Sequence, residues 1–171
     1  LTWTAVDSGR LKAGPHKNGT MDWAAALRWA ETLVYAGRDD WRLPNAKELQ
    51  SIVDYTRAPR KTGTPAIDPV FTLTAIRDAG GGKNWPFYWT STTHAGRDRA
   101  DTAAYIAFGE GLGWMQDRRT GRRRLLDVHG AGCQRSDPKT GDPKRFPHGR
   151  GPQGDVIRIT NYVLCVRGGT A

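Results

Sequence analysis

Two patterns of apolar and polar residues follow one another along the chain, and the change falls near residue 86. Before this point apolar residues recur every three or four positions, which predicts amphipathic helices. The first helix is predicted to start after Asp22 as its N-cap and to end at Gly37. Its apolar face consists of Trp23, Ala26, Leu27, Ala30 and Val34.

A second helix is predicted at about residues 45–54, within the stretch DDWRLPNAKELQSIVDY. Asn45 is a favourable N-cap, and Glu48 three residues later can complete a capping box. The segment PAIDPVF further on is predicted to be extended. The residues expected to pack inward from these two segments are Leu49, Ile52, Val53, Ile67, Val70 and Phe71.

Beyond residue 86, short runs rich in aromatic and β-branched residues alternate with glycine-rich turns, which predicts antiparallel strands. Between 129 and 155 there is no periodic pattern, and so long a connection is expected to be functional or internally ordered. Two helices followed by a strand-rich half predict one α+β domain over residues 1–171. The predicted strands are LTWTAV at the start, then FYWTST, AAYIAF, LGWM, RLLDVHG, VIRIT and YVLCVRGG.

Charge adds a candidate function to this architecture. The chain has 26 Lys and Arg against 17 Asp and Glu, a net charge of +9. Such an excess favours a polyanionic partner, either acidic or sulfated polysaccharide, nucleic acid or a membrane surface, and a basic surface with no specific partner is the alternative. Nucleic acid is disfavoured because no known nucleic-acid motif accompanies the charge. No apolar run is long enough to span a membrane.

Much of the positive charge lies in DRRTGRRRLLDVHG. A Thr-Gly pair separates two arginine groups, which predicts a hairpin with both groups at its tip. Arginine suits bidentate contacts to sulfate, carboxylate or phosphate. Trp114 just upstream could stack on a sugar ring or pack in the core. The candidate ligand-binding residues are Trp114, Arg118, Arg119, Arg122, Arg123, Arg124 and His129.

Three aspartates raise the question of calcium. SDPKTGDP contains Asp137 and Asp142, and Asp155 follows further on. Calcium prefers such oxygen-rich loops. Aspartate before proline also starts turns, and this is the favoured interpretation. The sequence therefore predicts no cofactor, with calcium as the alternative.

The cysteines and histidines form no recognisable catalytic motif. Cys133 and Cys165 are the only cysteines. We interpret them as unpaired thiols, and a bridge that closes the loop between them is the alternative in a secreted protein. The four histidines lie in separate segments without metal-ligand spacing. His129 is close to Cys133 in sequence, but no third group is placed to orient such a pair.

The order of several motifs resembles a known family. These motifs are DWRLPNAKELQSIVDY, PAIDPVF, YWTSTTHA, AAYIAFGEGLGWM and NYVLCVRGG, and together they extend over nearly the whole chain. They are similar to the C-terminal domain of the Legionella collagen-like protein. The resemblance implies a C-type-lectin-like fold, with two helices around a small twisted antiparallel sheet and long ordered loops. It also implies that Trp41 and Leu43 clamp the core and that Arg42 binds backbone carbonyls or an acidic residue. Cys165 is predicted to be structural, as a buried thiol within the apolar run YVLCVRGG.

The resemblance also implies a function. It indicates a non-enzymatic, adhesin-type module of a secreted or cell-surface bacterial protein, which binds an acidic or sulfated glycan or another polyanionic surface. Two alternatives share the fold. One is a variable protein of a diversity-generating retroelement, which would bind a protein ligand. The other is a formylglycine-generating oxidase, which is disfavoured because its closely placed cysteine pair is absent. Homo-oligomers are compatible with the adhesin interpretation.

Overall fold

A three-stranded antiparallel sheet lies at the centre of the fold. The computed structural model describes residues 1–96 and 99–169. The sheet has the order β4-β5-β8, with β4 at Phe87–His94, β5 at Thr102–Ala107 and β8 at Gln134–Pro138. Every residue of β5 is buried. Strands β4 and β5 pair in antiparallel register, so the antiparallel pairing predicted for these apolar runs is confirmed.

Both faces of this sheet are covered by apolar side chains. Phe87 and Trp89 point into one core together with Tyr105, and the rings of Phe87 and Tyr105 stack with centroids 4.2 Å apart. Tyr88 and Ile106 point into a second core on the opposite face. Because both faces are buried here, β5 and the first three residues of β4 form nearly continuous apolar runs and do not alternate with polar residues.

Helix α1 covers the first core but is shorter than predicted. It runs over Trp23–Glu31, and the carboxylate of Asp22 accepts a hydrogen bond from the Ala25 N–H at 2.7 Å, as predicted for the N-cap. The chain then turns back at residues 35–38, where Tyr35 packs edge-to-face on Trp41 with ring centroids 5.7 Å apart. Val34 is consequently 73% exposed, and its predicted place on the apolar face is wrong.

Helix α2 occupies Ala46–Gln50 and carries the predicted capping box. The Asn45 side chain accepts from the Glu48 N–H, and the Glu48 carboxylate accepts from the Asn45 N–H. The helix ends before residue 54 because Val53 pairs with Ile67 in a short bridge. A third short helix, α3 at Pro59–Thr62, and a 3-10 helix at Pro143–Arg145 exceed the two helices expected.

Three smaller antiparallel sheets complete the described part of the chain. They pair β1 with β9, β2 with β3, and β6 with β7. The architecture is thus α+β with small antiparallel sheets, as predicted. In the parts that the structure describes, no helix has the length and apolar character needed to cross a membrane. The strands are β1 Thr2–Trp3, β2 Ile76–Arg77, β3 Lys83–Asn84, β6 Leu112–Gln116, β7 Arg123–Asp127 and β9 Val166–Arg167.

The strand predicted for VIRIT is wrong. Residues 156–160 form no strand, and Ile159 has a positive φ of 63°. The N–H groups of Arg158 and Ile159 both donate to the carboxylate of Asp137 at 3.0 Å. These two N–H groups are therefore bound to a side chain and do not join a β-sheet, although the apolar residues of VIRIT favour strands.

Two further expectations from the loops have different outcomes. The 129–155 connection is internally ordered, because it contains β8 and the 3-10 helix. In PAIDPVF, Ile67 is buried and Phe71 packs on the second core. Val70 is exposed because the Asp68 carboxylate accepts its N–H at 2.8 Å and turns the chain outward.

Candidate functional site

The Trp-Arg-Leu-Pro stretch before α2 joins the start of this helix to the last strand. Trp41 and Leu43 are 4% and 3% exposed, so their predicted burial is confirmed. Arg42 donates to both carboxylate oxygens of Glu48, at 2.8 and 2.7 Å, and to the carbonyl of Gly168 at 2.9 Å. This ion pair holds the pKa of Glu48 below its ordinary value. The stretch is therefore a structural clamp.

The arginine-rich segment forms a hairpin, as predicted. Strands β6 and β7 pair in antiparallel register, and residues 117–122 connect them. The Asp117 carboxylate accepts the N–H groups of Arg119 at 2.8 Å and Thr120 at 3.0 Å, and these bonds lower the pKa of Asp117. Gly121 has a φ of 70° and closes the turn with a bond from its N–H to the Asp117 carbonyl. We call residues 112–127 the arginine hairpin.

The five arginines of this hairpin are exposed and lack acidic partners among the described residues. None of them lies within 4.0 Å of a carboxylate in residues 1–96 and 99–169. Elsewhere in the same region, arginines at positions 42, 60, 135 and 167 each bind a carboxylate. The one aspartate in the turn, Asp117, is directed toward backbone N–H groups. The hairpin therefore presents concentrated positive charge to solvent.

The register of the hairpin separates its arginines into three directions. Arg118, Arg119 and Arg122 lie in the turn, whereas Arg123 and Arg124 belong to β7, so the prediction that both arginine groups lie at the tip is only partly confirmed. Trp114 is opposite Leu125 and Gln116 is opposite Arg123, so Trp114 and Arg123 share one face. Arg124 is opposite Met115 and therefore lies on the other face. Trp114 is half-buried, intermediate between the stacking and core positions considered for it.

His129 lies beyond the other end of β7 from the turn, and its ring is largely buried. Its Nε2 is 2.7 Å from one carboxylate oxygen of Asp155. Arg135 donates to the other oxygen of Asp155 through Nε at 2.8 Å and also through Nη2. The structure thus places His129 in a hydrogen-bonded group with Asp155 and Arg135, apart from the arginines with which the sequence grouped it.

The three aspartates considered for calcium have separate hydrogen-bonding roles. Asp137 is buried and binds the 158–161 segment, Asp142 caps the 3-10 helix through the Lys144 N–H at 2.9 Å, and Asp155 binds Arg135. Within the described ranges, no three His, Cys, Asp or Glu side chains are grouped as a metal site would require. Asp142 matches the turn interpretation of its Asp-Pro pair, whereas for Asp137 this interpretation is wrong because the residue lies within β8.

Both cysteines are unpaired, as predicted. Cys165 is fully buried, and Cys133 is half-buried against the first core. Burial raises the pKa of each thiol to about 12. Because the thiolate is the reactive form, neither residue resembles an activated nucleophile.

A cleft on the β4-β5-β8 sheet was missed by the sequence reasoning. It has a volume of about 420 Å³, within the range of small-molecule sites. Its walls come from the end of β4, from β8 and from the 150–157 segment, which are far apart in the sequence. The Thr-rich run TSTTH was a weak signal for one wall. Its polar lining includes Thr92, Thr93, Arg135, Ser136, Arg150 and Asp155.

One pair in the cleft has the composition of a nucleophile and a base. His94 Nδ1 and Ser136 Oγ share a hydrogen bond of 2.9 Å. A catalytic pair also needs a third group that orients the histidine. No carboxylate of the described residues contacts His94. The pair is therefore a hydrogen bond between β4 and β8.

Comparison with known proteins identifies a family for this chain. The model of the family described as the Lcl C-terminal domain matches residues 1–127. The resemblance drawn from the sequence motifs is thereby confirmed. The match contains the arginine hairpin and ends before β8, so it includes only the β4 and β5 side of the cleft. No curated protein and no solved structure matches the chain.

Proposed function

Because the chain belongs to the Lcl C-terminal domain family, we propose that it is a non-enzymatic, C-type-lectin-like binding domain. Its ligand is an acidic or sulfated glycan, or another polyanionic surface. The domain acts as an adhesin-type module of a secreted or cell-surface protein. Helices α1 and α2, which pack beside the central antiparallel sheet, support the lectin-like assignment of the fold.

One observation carries this proposal, namely the five exposed arginines of the hairpin that lack acidic partners in the described structure. Paired arginines elsewhere fix the fold, whereas these can bind an external anion. The planar guanidinium group matches carboxylate and sulfate groups through two parallel hydrogen bonds. Because the arginines point in three directions, they suit a flexible chain with many charges better than one compact ligand.

The thiols support a binding domain over a formylglycine-generating oxidase. Such an oxidase needs two cysteines close together and available to copper. Here Cys165 is fully buried, Cys133 is half-buried, and the pKa of each is raised to about 12. Both thiols are thus held in their unreactive, protonated form.

The proposal is tested by removing charge from the turn. Arg118, Arg119 and Arg122 are replaced together by serine, and binding to immobilised heparin, chondroitin sulfate and neutral dextran is measured at several salt concentrations. Loss of three arginine contacts to sulfate groups should reduce the slope of log affinity against log salt concentration by about 2. Affinity for the sulfated chains should fall about tenfold or more at physiological salt.

A second triple variant provides the matched control. Replacement of Arg28, Arg38 and Arg145 by serine removes the same formal charge from exposed positions elsewhere. This control should retain most of the affinity and the salt dependence of the unchanged protein. Equal losses in the two variants would show that only net charge matters, and absence of binding to every sulfated chain would refute the proposal.

A further inference from the structure

The cleft on the β4-β5-β8 sheet contains more free hydrogen-bond donors than acceptors. Thr92 Oγ1 accepts from the Ala46 N–H at 3.0 Å, and Thr93 Oγ1 accepts from Lys139 Nζ at 2.8 Å. A hydroxyl that accepts one bond retains a proton to donate. Both threonine hydroxyls can therefore donate to a molecule in the cleft.

Most of the hydrogen-bond capacity of the carboxylate in the cleft is already used. One oxygen of Asp155 is bound to His129, and the other accepts two bonds from Arg135. Arg135 uses its Nε and Nη2 for these bonds, so its Nη1 retains free protons. Asp155 thus fixes the orientation of Arg135 and offers little capacity to an incoming ligand.

Arg150 supplies the second positive charge. Its backbone pairs with that of Asp155, through N–H to carbonyl bonds of 2.9 and 2.8 Å. Its side chain is exposed and has no hydrogen-bond partner or ion pair within residues 1–96 and 99–169. Two guanidinium groups and one carboxylate line the cleft, and the Lys139 ammonium is bound to Thr93 beside it, so the cleft carries a net positive charge.

We infer that this cleft binds one sugar residue that carries a single anionic group, either a carboxylate or a sulfate. The anion lies between Arg150 and the free edge of Arg135. The threonine hydroxyls donate to oxygens of the sugar ring, and Ala104 and Ile157 provide apolar contact for its face. This second site shares no residue with the arginine hairpin, so it stands whether or not the hairpin binds polyanions.

Titration calorimetry of the whole chain with small ligands tests the site. The ligands are glucuronate, glucose 6-sulfate and glucose, each too short to extend along the hairpin. At least one of the two anionic sugars should bind about tenfold or more tightly than glucose. The preferred anion identifies whether the group recognised is a carboxylate or a sulfate. Equal or absent binding of all three sugars would overturn the inference.

A pair of single variants locates the binding. Arg150→Gln removes the charge of an exposed side chain without structural contacts, and it should weaken the anionic sugar about tenfold. Arg119→Gln, in the turn of the hairpin, should leave this affinity unchanged. If Arg150→Gln binds the anionic sugar as well as the unchanged protein does, the sugar binds elsewhere and the cleft is not its site. Loss of heparin binding in the triple turn variant, with glucuronate or glucose 6-sulfate binding retained, would separate the two sites.

Discussion

Asp137 joins β8 to the 158–161 segment from a fully buried position. One of its carboxylate oxygens accepts from the N–H groups of Arg158 and Ile159, both at 3.0 Å, and from the side-chain amide of Asn161 at 3.1 Å. Asp137→Ala removes this shared acceptor. The three donors then remain without a partner in the interior unless water enters the space left by the carboxylate.

The expected cost follows from these contacts. A hydrogen bond to a charged group contributes about 1.5–3 kcal/mol, and water in the new cavity recovers part of the three bonds. We therefore expect the free energy of unfolding to fall by about 3–5 kcal/mol. For a chain of this length that corresponds to a Tm lowered by about 6–20 °C. Urea unfolding and thermal melts followed by circular dichroism measure both quantities.

Asp142→Ala is the matched control, because Asp142 also precedes a proline but is exposed. It accepts one hydrogen bond, from the Lys144 N–H at 2.9 Å, as the cap of the 3-10 helix. Loss of such a cap costs about 1 kcal/mol or less. If the two variants lose the same free energy of unfolding, Asp137 is not the organising acceptor described above.

Three further predictions concern the clamp, the thiols and one close contact. Glu48→Gln retains an acceptor for the helix cap but removes the ion pair with Arg42, and should cost about 1 kcal/mol at pH 7. The pKa of Glu48 is lowered in the fold, so the stability from this ion pair is fully present above the ordinary carboxyl pKa of 4.5. It is lost as the pH falls through the lower pKa of the folded state. The urea midpoints of the variant and the unchanged protein should therefore converge in acid. Iodoacetamide at pH 8 should label Cys133 and Cys165 slowly in the folded protein and rapidly in denaturant, and fast labelling of the folded protein would contradict their raised pKa. Gly111→Ala would place a methyl group 2.5 Å from the Cys133 sulfur and should lower the free energy of unfolding by about 1–3 kcal/mol, whereas an unchanged melting curve would show that the sulfur moves aside freely.

Features determined by neighbouring residues were predictable from the sequence. The capping box of Asn45 and Glu48, the N-cap at Asp22 and the turn of the arginine hairpin each depend on residues within a few positions of one another. The paired strands β4 and β5 were also predictable, because their apolar runs can be buried in few other ways. Local chemistry and strong hydrophobicity therefore determine these elements.

Features that depend on distant partners were not predictable. VIRIT has the composition of a strand, yet Asp137, about twenty residues earlier, binds its N–H groups. The opposite error occurs at β8, where the polar run QRSDP becomes an edge strand only because β5 is available to pair with it. The cleft was missed for the same reason, because its walls come together only in the folded chain.

The pairing of β1 with β9 has a mechanical consequence. Thr2 is opposite Arg167 and Trp3 is opposite Val166. The start of β1 and the end of β9 therefore lie at the same end of this two-stranded sheet. Tension applied between the two ends would therefore break the interstrand hydrogen bonds one after another, because the antiparallel strands are peeled apart and not sheared. Strand β9 is held separately by Arg42, whose backbone exchanges two hydrogen bonds with Val166, at 2.9 and 3.0 Å. If β9 were pulled, its hydrogen bonds to Arg42 would still hold it after its hydrogen bonds to β1 had broken.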